Sequence, residues 1–225
     1  MHSKRHVMNV SDLPRVCRLL ESAYKKTAAP IVDLIQTQGA SPFHILVATV
    51  LSARTKDQTT AGAIARLFKV VKTPADLREI PVARLERLIF PVGFFRVKAR
   101  HLKQMPDVLD REFQGRIPDT IDELCHLPGV GRKTANLVVA LAFDKPGICV
   151  DVHVHRISNR LGLVRTDAPL KTEMALRTLL PRCYWKRWNR LLVAYGQTVC
   201  TPARPRCSIC CVASCCSRCG VTVAR

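Results

Sequence analysis

From Lys133 to Phe143 the chain is apolar on nearly every side once its first four residues are passed. That is what a helix looks like when it sits in the middle of an all-helical lobe. Directly before it stand Leu127-Pro128-Gly129-Val130-Gly131-Arg132. Two glycines this close permit positive φ, so the chain can make a tight hairpin between a short helix after Pro118 and the buried one. Other helix starts are written nearby. Ser41-Pro42 is an N-cap with proline at the first helical position, and Thr73-Pro74 and Ile80-Pro81 repeat the device. Leu85, Leu88 and Ile89 keep helical spacing, as do Leu102, Met105 and Leu109, and Pro106 is expected to kink or end that last helix.

One segment resists the helical reading. Ile148, Val150, Val152 and Val154 alternate with Cys149, Asp151, His153 and His155, which by period alone is a strand. On a strand, Asp151, His153 and His155 would share a face, and a carboxylate with two imidazoles is a ligand set for non-haem iron. If Asp151 instead ends a loop and caps a helix from about Val152 to Leu161, the histidines point apart and the iron site fails. Asn159-Arg160-Leu161-Gly162 reads as a helix C-terminus and supports the cap.

Charge narrows the partner. Thirty-six Lys and Arg against seventeen Asp and Glu give +19, an excess suited to a polyanion, with nucleic acid the leading candidate. The excess is uneven, since no acidic residue follows Glu173. No stretch approaches the roughly 20 apolar residues that span a bilayer, and Met1 to Val10 lacks a signal peptide's apolar block. A cytoplasmic, nucleoid-associated protein without a secretion signal is expected. The length suits one large domain or two small ones, and two lobes are the default expectation. Of eleven cysteines, seven crowd between Cys200 and Cys219, which in a reducing compartment points to metal ligation. Two parsings stand: Cys200, Cys207, Cys210 and Cys216 around an iron–sulfur cube, or Cys207-x2-Cys210 with Cys216-x2-Cys219 as zinc-knuckle pairs.

The glycine hairpin presents backbone N–H groups at a helix N-terminus, a grip for a phosphate. A nucleotide-triphosphatase loop wants glycine directly before the lysine, whereas here Arg132 precedes Lys133. Lys133 opens the buried helix. The positive helix end, Arg132 and partial desolvation would there favour the neutral, nucleophilic amine. A solvated or phosphate-binding lysine is the alternative.

In this order, Leu127 to Asn136, Val150-Asp151-Val152-His153 and the x6, x2, x5 cysteine spacing resemble the endonuclease III family of helix-hairpin-helix DNA glycosylases. The match runs from about Ser41 to Cys216. It implies an all-α fold of two helical lobes with DNA in the cleft between them: a six-helix barrel over 35–145, and a second lobe from 1–34 and 146–225 holding a 4Fe-4S cluster loop at 200–216. It assigns Cys200, Cys207, Cys210 and Cys216 as ligands and leaves Cys211, Cys215 and Cys219 as extras. It implies base flipping, attack of Lys133 on C1′ with Asp151 assisting, and strand cleavage by β-elimination on double-stranded DNA carrying damaged bases, oxidised pyrimidines foremost, or abasic sites. The protein would act as a monomer.

Gly129, Gly131, Arg132 and His153 would contact DNA. Arg54 stands where the family usually has the glutamine that fills the gap left by the flipped nucleotide, and Phe94 stands where it has an apolar wedge. Core packing is the alternative for Phe94. Two other functions compete: a monofunctional adenine or mismatched-uracil glycosylase, against which Lys133 argues, and a helix-hairpin-helix protein that binds DNA without chemistry.

Overall fold

The computed structural model describes residues 8–24 and 39–225. Among them, regular structure is entirely helical, with no strand. Two compact units emerge, 29–145 and 1–28 with 146–225. The expected 34/35 boundary lies outside the described residues.

The first unit runs through α2 (Pro42–Ser52), α3 (Asp57–Leu67), α4 (Pro74–Glu79), α5 (Val82–Ile89), α6 (Phe95–Phe113), α7 (Ile121–Leu124) and α8 (Arg132–Ala142). Its starts follow the sequence signals. Ser41 Oγ accepts from His44 N at 3.4 Å with Pro42 in the first turn, and Thr73 and Asp76 form a reciprocal capping box ahead of α4. Pro81 is itself the N-cap of α5. Ala135, Val138, Val139 and Leu141 of α8 are buried, as the apolar pattern requires, and α8 packs against α2. Helix α6 does not end at Pro106 but continues to Phe113. Pro106 is buried beside Met105, in a core shared with Leu102 and Leu109, so packing along this face offsets the hydrogen bond that proline removes.

The second unit contains α1 (Leu13–Tyr24), α9 (Val152–Leu161), α10 (Pro169–Leu179), α11 (Trp185–Thr198) and the cysteine-rich segment with its two short 3-10 turns. Trp188, fully buried, anchors its core and donates from Nε1 to Ser158 Oγ at 3.1 Å. Gly196 lets α11 approach α9: a Cβ there would lie 2.6 Å from His153 Nδ1.

Of the two alternatives for Ile148 to His155, the strand does not form and the helix capped by Asp151 does. Ile148, Cys149 and Val150 are all buried, so successive residues on both sides of the chain face protein. Asp151 then starts α9, in whose first turn Val152 is 65% exposed while Val154 is buried, so the period of two runs from a buried segment into a helix and marks no single face. Among the described residues no helix is long and apolar enough to cross a membrane.

Candidate active site and cysteine-rich loop

Thr120 caps α7, accepting from Glu123 N at 3.3 Å, and the chain tightens through Leu127 N→Leu124 O (3.1 Å) and Val130 N→Leu127 O (3.1 Å). Only one of the two hairpin glycines needs its conformational freedom. Gly129 has φ +77°, and a Cβ there would lie 2.6 Å from His101 Nδ1, so it is required by conformation and by space. Gly131, the N-cap of α8, has φ −93°, and a Cβ would meet nothing within 4 Å. No side chain caps α8 there, and the space where a Gly131 Cβ would stand is open, so an anion can approach this positive helix end.

Arg132 reaches Asp122 Oδ1 at 3.2 Å, a pair with an almost fully exposed carboxylate and little energetic weight. Lys133 is exposed, so the partial desolvation expected of it is not present in the isolated protein. Asn136, fully buried one turn on, donates from Nδ2 to Arg132 O at 3.0 Å and steadies this end of the helix.

Asp151 belongs to the other unit. Its Oδ1 accepts from His153 N and Val154 N, both at 2.9 Å, which makes it the N-cap of α9. The carboxylate is thereby held in one orientation at a positive helix end. The non-haem iron alternative fails with the strand: His153 Nδ1 contacts Arg156 Nη2 at 3.1 Å, whereas His155 Nδ1 pairs with Thr172 Oγ1 at 2.7 Å.

Arg54 and Phe94 come together in the first unit. Both have positive φ, +53° and +58°, and the Arg54 guanidinium lies 5.6 Å from the centre of the Phe94 ring. Phe94 is 61% exposed, which rules out core packing as its role. Its neighbour Phe95 does pack inward, with Phe90 edge-on at 5.4 Å.

In the cysteine-rich segment Cys200, Cys207, Cys210 and Cys216 line one cavity with Arg160 and Arg206, and Cys219 is not among its lining residues. Burial pushes the Cys216 thiol up to about 11. The Arg218 N–H works against this, and the neighbouring Cys210, Cys200 and Cys207 add to it. Burial likewise raises Cys210. Four crowded thiols are stable as thiolates only with compensating positive charge, which a metal core supplies. Among the described residues no group of three His, Cys, Asp or Glu is placed to hold one metal ion. Four thiols lining one cavity are a donor set that suits a polynuclear group, in which different metal atoms take different thiolates. Donors surround them: Arg160 Nη1 and Arg218 N approach Cys200 Sγ and Cys216 Sγ, each at 3.4 Å. The extras have other partners. Cys215 is buried in the core, and Cys211 Sγ lies 3.4 Å from Tyr195 Oη.

Residues 47–182 match the HhH-GPD superfamily of base excision DNA repair proteins. The chain belongs to this superfamily. The endonuclease III of Thermotoga maritima is 46% identical over 169 residues, covering 75% of this chain and 79% of that protein. Endonuclease III homolog 2 of Arabidopsis thaliana, a chloroplastic protein, is 43% identical over 77% of this chain, which spans about half (47%) of its length. A solved structure described as a trapped endonuclease III–DNA covalent intermediate superposes with a TM-score of 0.81 at 32% identity, covering 94% of this chain and 97% of that one. The chain is thus a base-excision repair enzyme of endonuclease III type, a DNA glycosylase and lyase, with the all-helical fold its sequence implies.

Sequence reasoning missed three residues that hold these features in place. Lys98 is buried against the Arg54 loop, His101 packs beneath Gly129, and Arg160 donates to Thr201 O and Pro202 O beside Cys200. Lys98 and Arg160 carry a readable signal, since each lies on its helix's apolar stripe: Lys98 with Leu102 and Met105, Arg160 with Ile157 and Leu161.

Proposed function

We propose that this enzyme excises damaged bases, oxidised pyrimidines foremost, from double-stranded DNA and cuts abasic sites through a covalent intermediate on Lys133. The observation that carries the reading is the start of α8, where an exposed lysine stands at an uncapped helix N-terminus two residues after Gly131. The N–H groups of that terminus suit a DNA phosphate, and a phosphate gripped there brings the adjoining sugar within reach of the Lys133 amine. Approach of DNA also supplies the desolvation that favours the neutral amine.

Attack of Lys133 Nζ on C1′ displaces the base, which departs with the glycosidic electron pair and takes up a proton. Opening of the sugar ring leaves an imine on Lys133. Loss of a C2′ proton then expels the 3′ phosphate, and water releases the lysine. Asp151, fixed by its two backbone donors, is the carboxylate we assign to stabilising the developing positive charge or to taking a proton from Lys133. Arg54 and Phe94 open the duplex, the exposed ring entering a base step and the guanidinium filling the space the nucleotide vacates. Gly129, Gly131, Arg132 and His153 complete the DNA contacts in this reading, and the enzyme acts as a monomer at the nucleoid.

Cys200, Cys207, Cys210 and Cys216 are the residues that would hold a 4Fe-4S cluster. Four thiolates on a core of charge two plus change the formal +19 only to about +17. The cluster would brace the basic loop that carries Arg204 and Arg206. Anaerobically purified protein should be brown and should lose that absorbance on Cys200→Ser, whereas a colourless protein holding only zinc contradicts the assignment.

Borohydride reduction in the presence of abasic-site duplex tests the chemistry. We expect a covalent protein–DNA adduct that Lys133→Gln abolishes. No adduct from the intact enzyme would favour a monofunctional glycosylase or a binding protein instead.

A further inference from the structure

Lys98 stands on the inner face of α6 and is 7% exposed. Its Nζ donates to Leu51 O at 2.8 Å, Ala53 O at 2.6 Å and Thr55 Oγ1 at 3.3 Å. An ammonium has three donors, and here each finds an acceptor. Leu51 lies in the last turn of α2, where carbonyls lack helical partners and a cation complements the macrodipole. Thr55 Oγ1 accepts a second hydrogen bond, from Gly93 N at 3.1 Å. The loop 53–55 is therefore tied at once to α6 and to the turn before it.

The fit between loop and turn is close: a Cβ on Gly93 would stand 2.5 Å from Arg54 O. The loop and turn display two left-handed residues that are not glycine, Arg54 and Phe94, a conformation that persists only where the surroundings impose it. Both side chains project outward, the guanidinium over the ring. Lys98 touches neither of them, but it holds the backbone that presents Arg54 and, through Thr55, the turn that presents Phe94.

We propose that Lys98 is a positioning residue for DNA opening, locking Arg54 and Phe94 into one preformed wedge. The proposal rests on the assignment of that pair to opening the duplex. Without the Lys98 donors the two carbonyls and Thr55 lose a shared anchor, and the wedge is no longer fixed before DNA arrives. DNA association, carried by phosphate contacts elsewhere, would survive, while base unstacking would not.

The test uses a duplex carrying a stable abasic analogue flanked by 2-aminopurine, whose fluorescence rises on unstacking. Saturation is checked by anisotropy, so that only bound, folded protein is compared. The wild-type enzyme should give a large rise, and Lys98→Met and Phe94→Ala should each reduce it at least fivefold at saturation. Should Lys98→Met fail to fold, Thr55→Val at a half-buried position breaks the same tie and should at least halve the rise. A full wild-type rise from saturated Lys98→Met, or from Thr55→Val in its place, while Phe94→Ala abolishes it, overturns the role of Lys98 alone. A full rise from Phe94→Ala, or none from the wild type, overturns the wedge assignment and this proposal with it.

Discussion

Asp151 has two separable duties, since one carboxylate both caps α9 and supplies charge. Asparagine caps a helix about as well as aspartate, whereas alanine does not. Asp151→Asn should therefore melt close to the wild type yet lose most base excision. Asp151→Ala should lose both, the stability by about 1 kcal/mol. Thermal melts and single-turnover excision on a lesion duplex check the pair, and equal excision by Asn and wild type would remove the charge from the mechanism. Lys98 carries a pH dependence of its own. Burial lowers its pKa from 10.5 to about 8. A lysine with a depressed folded-state pKa binds fewer protons when folded, so its contribution to stability rises as pH climbs from about 8 toward 10.5. Over that window the wild type should gain stability relative to Lys98→Met, and parallel melting curves of the two proteins across it would contradict this. That Lys133 opens a helix, that Asp151 caps one and that the four cysteines gather was legible because each placement depends on local sequence: a helix start, a cap, a spacing. Lys98 was not, although it sits on an apolar stripe, because its acceptors lie more than forty residues away and become neighbours only on folding.

At the scale of elements, the hairpin depends on Gly129 more than on Gly131. Gly129→Ala meets both a positive φ and the His101 ring, while Gly131→Ala meets neither obstacle. The first should cost roughly 1–3 kcal/mol and weaken binding of abasic duplex. The second should leave the melting temperature nearly unchanged and act on DNA affinity alone, where the added methyl meets the phosphate. Melts and fluorescence anisotropy distinguish them, and equal destabilisation by both would show that the hairpin's shape has been misassigned. The helices that formed as read from sequence were those with a cap, such as α2 and α4, or with a nearly all-apolar run, such as α8. The segment from Ile148 to His155 was ambiguous because its alternation runs across a buried stretch into the first turn of a helix, and the Asp151 cap with the Asn159 to Gly162 helix end is the alternative that formed. Helix α6 ran on through Pro106 because the residues around it fill the core, a gain that single-residue propensity does not contain.

For the molecule as a whole, the +19 charge predicts DNA binding dominated by phosphate contacts. Affinity for undamaged duplex should fall on the order of a thousandfold between about 50 and 200 mM salt, with Arg132→Ala lowering the slope of log K against log salt by about one. A slope unaffected by Arg132→Ala would place the phosphate contacts elsewhere. The fold class was legible from helix periodicity, and the family from three motifs in order. The pairing of Arg54 with Phe94 became visible only in three dimensions, as did the cavity that gathers Cys200, Cys207, Cys210 and Cys216, where spacing alone leaves the cysteine parsing open. The central claim, that one particular amine becomes covalently joined to the sugar, is tested most directly by locating the bond. Borohydride-reduced enzyme–DNA adduct, digested with nuclease and protease, should yield a single modified peptide with the sugar remnant on Lys133. A remnant on another lysine, or on the chain's terminal amine, would contradict the account.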